Sequence, residues 1–250
     1  MTVHEFRSIT QIGRTEPFEL QVSRGQIPAH ERVHKFGFNA LINDSEETIW
    51  DAGGTYTYQS SALAMTVTSA GGATDVGVKV TVSGLDGDYN EVSQEVTLNA
   101  SGVATTTQTF LRVNRAFISG DTAPTGAVTI TNSSTTYAQI SLGENQTLMA
   151  VWTVPAGYTA YLLQNNVTAF TEQNNKFAII RLITRELNGV FRTQDKHTVV
   201  LSQNDINYPL PKSFPEKTDI EMRGIASSAN ANLQISASFD ILYIRNDGRL

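Results

Sequence analysis

From residue 62 to 142 the apolar positions fall in short runs, 65–68, 76–82, 92–98, 106–111, 115–118 and 128–131, separated by Ser, Gly, Asp, Asn or Pro. Runs of this length, rich in Val, Thr and Ile, predict strands, and no helical period is visible among them. At this spacing they predict an antiparallel sandwich of immunoglobulin-like or related Greek-key type. From residue 148 the runs lengthen to 158–170, 177–185, 190–191, 198–201, 219–225 and 233–244. Ile235, Ala237, Phe239, Ile241 and Tyr243 share one face of the last run. The run 177–185 begins continuously apolar and turns to alternation, with Arg181 and Arg185 facing the same way, as in a strand covered on both faces at one end only. About eight such strands make a jelly roll. The predicted fold is therefore all-β: an extended N-terminal arm over 1–48, a β-sandwich over 49–145 and a jelly-roll-like β-sandwich over 146–250.

Three stretches punctuate this plan. In 147–162 two β-rich flanks surround Pro155-Ala156-Gly157, where Pro pre-sets φ and Gly accepts a positive φ, which predicts a hairpin opening the second sandwich. Pro209, Pro211 and Pro215 remove ladder donors from 209–217, which predicts a rigid crossing over one end of the sandwich. The arm carries Phe6, Ile9, Ile12, Phe18, Leu20, Val22, Ile27, Val33, Phe36, Phe38 and Leu41, broken by Gly and Pro so that no period survives. Within it, Phe18-Glu19-Leu20-Gln21-Val22 alternates as a single strand would, and such a strand needs a partner later in the chain or in a neighbouring subunit.

Composition narrows the function classes. The 250 residues carry 18 basic and 24 acidic side chains, a formal net charge of −6, which argues against nucleic acid as a partner. No cysteine is present, so disulfides, thiolate metal sites and a cysteine nucleophile are excluded. No apolar stretch approaches the roughly 20 residues of a spanning helix, and the polar start of the chain lacks the apolar region of a secretory leader, so no membrane role is expected. Charged residues make up 17%, below the roughly 25% usual in soluble domains, with Thr, Ser, Asn and Gln in their place. Uncharged polar β-surfaces of this kind fit extracellular or particle-bound proteins.

Candidate chemistry is sparse. His30-Glu31-Arg32-Val33-His34 has the spacing of a helical zinc-protease motif, but it is boxed between Pro28 and Gly37 in a strand-like segment, and a solvated or interface segment is the simpler reading. Asp86, Asp88 and Asn90 are spaced like the first ligands of a calcium loop, yet Glu91 and Thr97 occupy the positions where Gly and an acidic residue are required, which leaves a β-turn. No nucleophile elbow, phosphate loop or dinucleotide fingerprint occurs, and no catalytic residue, metal or cofactor is expected. Trp50, Tyr56 and Tyr58, around Gly53-Gly54, read either as a stacking platform for a sugar or as a plug packing the arm into the body. Arg112, Arg115, Arg181 and Arg185 read as partners for carboxylates across a subunit interface.

Several segments together carry a resemblance. Lys35-Phe36-Gly37-Phe38-Asn39, Glu47-Thr48-Ile49-Trp50-Asp51-Ala52-Gly53-Gly54, Gly84-Leu85-Asp86-Gly87-Asp88-Tyr89-Asn90-Glu91 with Thr97-Leu98-Asn99, and Phe110-Leu111-Arg112-Val113-Asn114-Arg115-Ala116 are four of them. Thr153-Val154-Pro155-Ala156-Gly157, Gly189-Val190-Phe191-Arg192 and Phe214-Pro215-Glu216-Lys217-Thr218-Asp219-Ile220 complete the set. As a whole they resemble virion structural proteins of tailed bacteriophages. The resemblance implies a non-enzymatic particle component built of β-sandwiches, assembled in the bacterial host cytoplasm. It points to a capsid decoration or cement protein, a homotrimer whose arm (Phe6, Ile9, Ile12, Phe18, Leu20, Val22, Ile27, Val33, Phe36, Phe38) lies on the major capsid protein or other virion proteins. A tail or fibre-attachment component is the alternative within the virion, and a carbohydrate-binding module using Trp50, Tyr56 or Tyr58 is the alternative outside it. Ordering an arm costs roughly 1 to 2 kcal/mol per residue, so the particle must supply extensive contacts.

Overall fold

The computed structural model describes residues 16–200 and 202–247. A short helix α1 (Phe18–Ser23) precedes strands β1 (His30–Ile42) and β2 (Glu47–Thr48). Seven strands follow: β3 (Leu63–Ser69), β4 (Lys79–Leu85), β5 (Glu91–Thr97), β6 (Val103–Phe110), β7 (Arg112–Ile118), β8 (Val128–Asn132) and β9 (Thr135–Ile140). The chain ends with β10 (Val151–Thr153), β11 (Tyr158–Phe170), β12 (Ala178–Arg185), β13 (Arg192–Val199), β14 (Gln203–Phe214), β15 (Asp219–Ala226) and β16 (Leu233–Arg245).

The all-β sandwich architecture expected from the pattern is present, and every named strand pairing is antiparallel. One sandwich packs β6-β3-β8-β9 against β5-β4-β7. The other packs β1-β16-β11-β14 against β10-β15-β12-β13, with β2 also pairing β15. Counting only the eight long-range strands of this second unit, the sheets run first-eighth-third-sixth and second-seventh-fourth-fifth. That is the winding of a jelly roll, and the smaller sandwich is inserted in its first crossover, between β1 and β10.

Alternation explains both cores. On β16 Leu233, Ile235, Ala237, Phe239, Ile241 and Tyr243 are buried while Gln234, Ser236, Ser238 and Asp240 turn outward. They join Ile180, Leu182, Met222 and Leu162 in the jelly-roll core, each full burial contributing about 1.5–3 kcal/mol. Met65, Val67, Val80, Val82, Phe110 and Ile130 fill the inserted sandwich. At the two crossings between the units the period-2 backbone serves both cores: Ile49 and Trp152 enter the jelly roll, and their neighbours Trp50 and Val151 enter the insert. Trp50 and Met149 pair as an antiparallel bridge at this waist.

Four expectations are corrected. Residues 30–42 of the arm are a full member of the jelly roll, with β1 in register against β16 from His30↔Ile244 to Ile42↔Leu233, so the partner of the N-terminal segment lies in the same chain. Phe18-Glu19-Leu20-Gln21-Val22 is helical: the carbonyl of Pro17 accepts from the N–H groups of Leu20 and Gln21, which closes the first turn. The stretch 147–162 is a corner rather than a hairpin: β10 pairs with β15 and β11 with β16 and β14, and Gly157, at φ 79°, turns the chain from one sheet to the other. The proline-rich segment belongs to β14. Leu162 pairs with Lys212 and Gln164 with Asn207, so residues 208–211 bulge opposite Leu163 alone. Pro209 and Pro211 are accommodated because the bulge lies on an edge strand, where missing N–H donors break no ladder.

Candidate assembly surface

The charged side chains of β7, β12 and β15 converge on the seam between the two sandwiches. Asp219 accepts from Arg112 Nε at 2.8 Å and Nη2 at 3.2 Å, from Arg185 Nη2 at 2.6 Å, and from Thr153 Oγ1 at 2.7 Å. Arg112 also donates to the carbonyls of Gln59 and Leu111, both at 2.9 Å. The ring of Tyr58 lies 5.0 Å from the guanidinium carbon of Arg112 and 4.5 Å from that of Arg185, within cation–π range of both. Its hydroxyl donates to Glu221 Oε2 at 3.1 Å, and Glu221 is held in turn by Arg223 and Thr48. Burial, then the Glu221 carboxylate, pushes the Tyr58 phenol well above its ordinary value. Glu46 pairs with Arg181 and Arg223.

This cluster was hidden in the sequence. Arg112, Arg181 and Arg185 were expected to reach carboxylates of another subunit; they reach Asp219 and Glu46 of their own chain. Arg115 donates to Gln146 Oε1 at 2.9 Å instead. The readable signal was Asp219-Ile220-Glu221-Met222-Arg223, which puts three charges on one face of a strand whose other residues are apolar. Chemically the cluster is a clasp: Asp219 and Glu221 are satisfied by groups brought from both sandwiches, while Glu46 is held by Arg181 and Arg223 of the jelly roll.

The sites considered from sequence are placed as follows. Trp50 and Tyr56 are each 3% exposed, their centroids 5.4 Å apart and edge to face, and Tyr58 meets Tyr56 edge to face in turn at 4.9 Å. They fill the waist, and Trp50 Nε1 donates to the Gly54 carbonyl at 3.0 Å, so neither ring presents an open face to a sugar. His30 and His34 lie on one face of β1, about 13 Å apart at the strand rise, and His34 Nδ1 meets Asp240 Oδ1 at 2.8 Å. A strand cannot bring them to one ion as a helix would. Asp86 Oδ1 accepts from the backbone N–H groups of Asp88 and Asn90, closing the turn read from sequence. Among the described residues no three His, Asp or Glu side chains gather as a metal would require. No described helix is long and apolar enough to cross a membrane.

Of the arm residues, Phe6, Ile9 and Ile12 lie outside the described residues. Val22 is buried against the body, Ile27, Val33 and Phe38 are half-buried, and Phe18, Leu20 and Phe36 are exposed. Phe18 and Leu20 stand at 47% exposure on α1, which rests against β1 with Phe18 edge-on to His30 at 5.9 Å. At the other border of the same sheet Leu210, 88% exposed, caps the proline bulge of β14. Bare apolar side chains thus mark both ends of the β1-β16-β11-β14 sheet, and the prolines keep one of those ends from pairing indiscriminately.

No known protein family matches the chain, and no curated protein matches it in sequence. Among solved structures it is similar to one of infectious bursal disease virus, Gt strain, at 11% identity over 94% of this chain and 79% of that one, with a TM-score of 0.27. It is similar also to the VP2 subviral particle of the same virus, at 12% identity, 88% and 73% coverage and a TM-score of 0.22. For the Gx strain the figures are 10% identity, 88% and 73% coverage and 0.25. Superpositions this loose carry no functional argument, and the class of the protein rests on its own strand order: a jelly roll bearing an inserted β-sandwich.

Proposed function

We propose that the chain is a non-enzymatic virion structural protein of the capsid decoration or cement kind, which binds the shell through its N-terminal segment and β1 border and carries the inserted sandwich outward. The observation that supports this most is the strand order. A jelly roll whose first crossover holds a whole second sandwich is suited to separating a base that contacts a lattice from a domain that projects from it. Jelly rolls also serve lectins and cupins. Here the interior is filled by Phe239, Ile180, Leu182 and Met222 rather than left open for a ligand, and Trp50 and Tyr56 are used as packing. The charged seam favours the same reading, since it makes the two sandwiches one rigid lever. The partners proposed are the major capsid protein or other virion proteins, with the protein itself a homotrimer.

A truncation lacking residues 1–28 removes α1 and leaves β1 whole. It should stay folded and fail to cosediment with preformed particles that retain the full-length chain; equal retention of both would refute the attachment. Copy number in purified particles is the second test. Hundreds of copies fit a shell component, six or twelve would move the protein to the tail, and its absence would remove it from the virion.

A further inference from the structure

A cleft between the sandwiches, of about 570 Å³, opens where β1 passes β5 and β7. Its floor is Lys35, only 7% exposed. The ammonium donates to the main-chain carbonyl of Asn114 on β7, and among the described residues no carboxylate forms an ion pair with it. An ammonium has three protons to donate, and a buried cation without a counter-charge is costly. Burial, then the neighbouring Arg115, pulls the Lys35 amine down to about 7.

The surroundings add positive charge. Arg32 and Arg115 are exposed at the cleft, and His34 stands beside them, paired with Asp240. The cleft's one carboxylate, Glu91, is turned to the Tyr243 hydroxyl at 3.4 Å, which it shares with Glu31 at 2.9 Å. In a chain of net charge −6, two guanidinium groups and the Lys35 amine face one carboxylate that is already engaged.

We propose that this cleft binds a small oxyanion, a phosphate or a carboxylate group, received by Lys35 at the floor and by Arg32 and Arg115 at the rim. The oxyanion supplies the acceptors and the charge that Lys35 lacks. Because Lys35 belongs to the jelly roll and Arg115 to the insert, the bound anion adds a second tie between the two units beside the Asp219 clasp.

Calorimetric titration of the full-length protein with inorganic phosphate, and separately with acetate, tests this in chloride buffer at pH 6.5. Saturable one-site binding is expected for at least one of the two anions, and the one preferred assigns the ligand to phosphate or carboxylate chemistry. Lys35→Met should weaken that binding at least tenfold, and Arg32→Gln several-fold. Should Lys35→Met fail to fold, Arg115→Gln, at an exposed position, takes its place with the same expectation. Absence of saturable heat with both anions, or undiminished binding in the variants, would overturn the proposal.

Discussion

Asp219→Asn tests whether the seam is held as described. The carboxylate is 4% exposed and accepts from two guanidinium groups and a hydroxyl, with Arg112 itself 5% exposed. Asparagine keeps the shape but offers one acceptor oxygen and turns an amide donor toward the arginines, leaving Arg112 a buried cation without a counter-charge. Breaking a buried pair in this way costs about 3–5 kcal/mol. The contribution of Arg185 is discounted, since its side chain is 27% exposed and screened by solvent. At roughly 2–4 °C per kcal/mol for a chain of this size, Tm should fall by about 6–20 °C. Arg112→Met should cost less, about 1–3 kcal/mol, because Asp219 keeps Arg185 and Thr153. Urea unfolding followed by tryptophan fluorescence, with Trp50 at the waist and Trp152 in the jelly roll, reads both variants together with scanning calorimetry. A loss below about 1 kcal/mol for Asp219→Asn, or a larger loss for Arg112→Met, would refute the clasp.

Three further outcomes are expected. Deleting residues 1–40 strips β1 from β16 and uncovers Ile235, Phe239 and Tyr243, so this truncation should be insoluble or lack a cooperative melt, in contrast to the 1–28 deletion. Gly37→Ala would drive a Cβ into the Ile49 carbonyl and the Ala150 backbone at the crossing between the units, and should cost about 3 kcal/mol or more in chemical unfolding. Burial raises the Asp51 carboxyl from 3.8 to about 7, against hydrogen bonds from Ser141. Because the folded protein then holds this proton more tightly than the unfolded chain, stability should decline as pH rises from about 4 to 7. Asp51→Asn should flatten that part of the profile in thermal melts across the range.

Much of the local structure was legible in the chain. The run 158–170 coincides with β11, 219–225 with most of β15 and 233–244 with nearly all of β16, because long alternation or apolar continuity states which side of a strand is covered. Burial of Trp50 and Tyr56 agrees with the plug reading of those rings. Weaker stretches were missed: most of β13 and β14 carry Thr, Gln, Asn and Asp on half-exposed surfaces, with little apolar contrast to read, and the six residues of β9 bury Tyr137, Ala138 and Ile140 without a clean alternation.

Partnership is what the tertiary structure decided. Val151-Trp152-Thr153 and Tyr158-Thr159-Ala160 are separated by only four residues, including a turn-forming Pro and Gly, yet they lie in different sheets, since each finds its ladder on a strand some 60 or more residues downstream. Likewise β1 has its partner about 200 residues away, and Asp219 has ligands on β7, β10 and β12. Side-chain alternation records which face of a strand is dry. Backbone hydrogen bonds between strands are the same for every residue but proline, so the sequence by itself determined the strongly patterned strands and their buried faces, while β1, the weakly patterned strands, the order of strands in the sheets, and with it the clasp and the Lys35 cleft, came only from the folded chain.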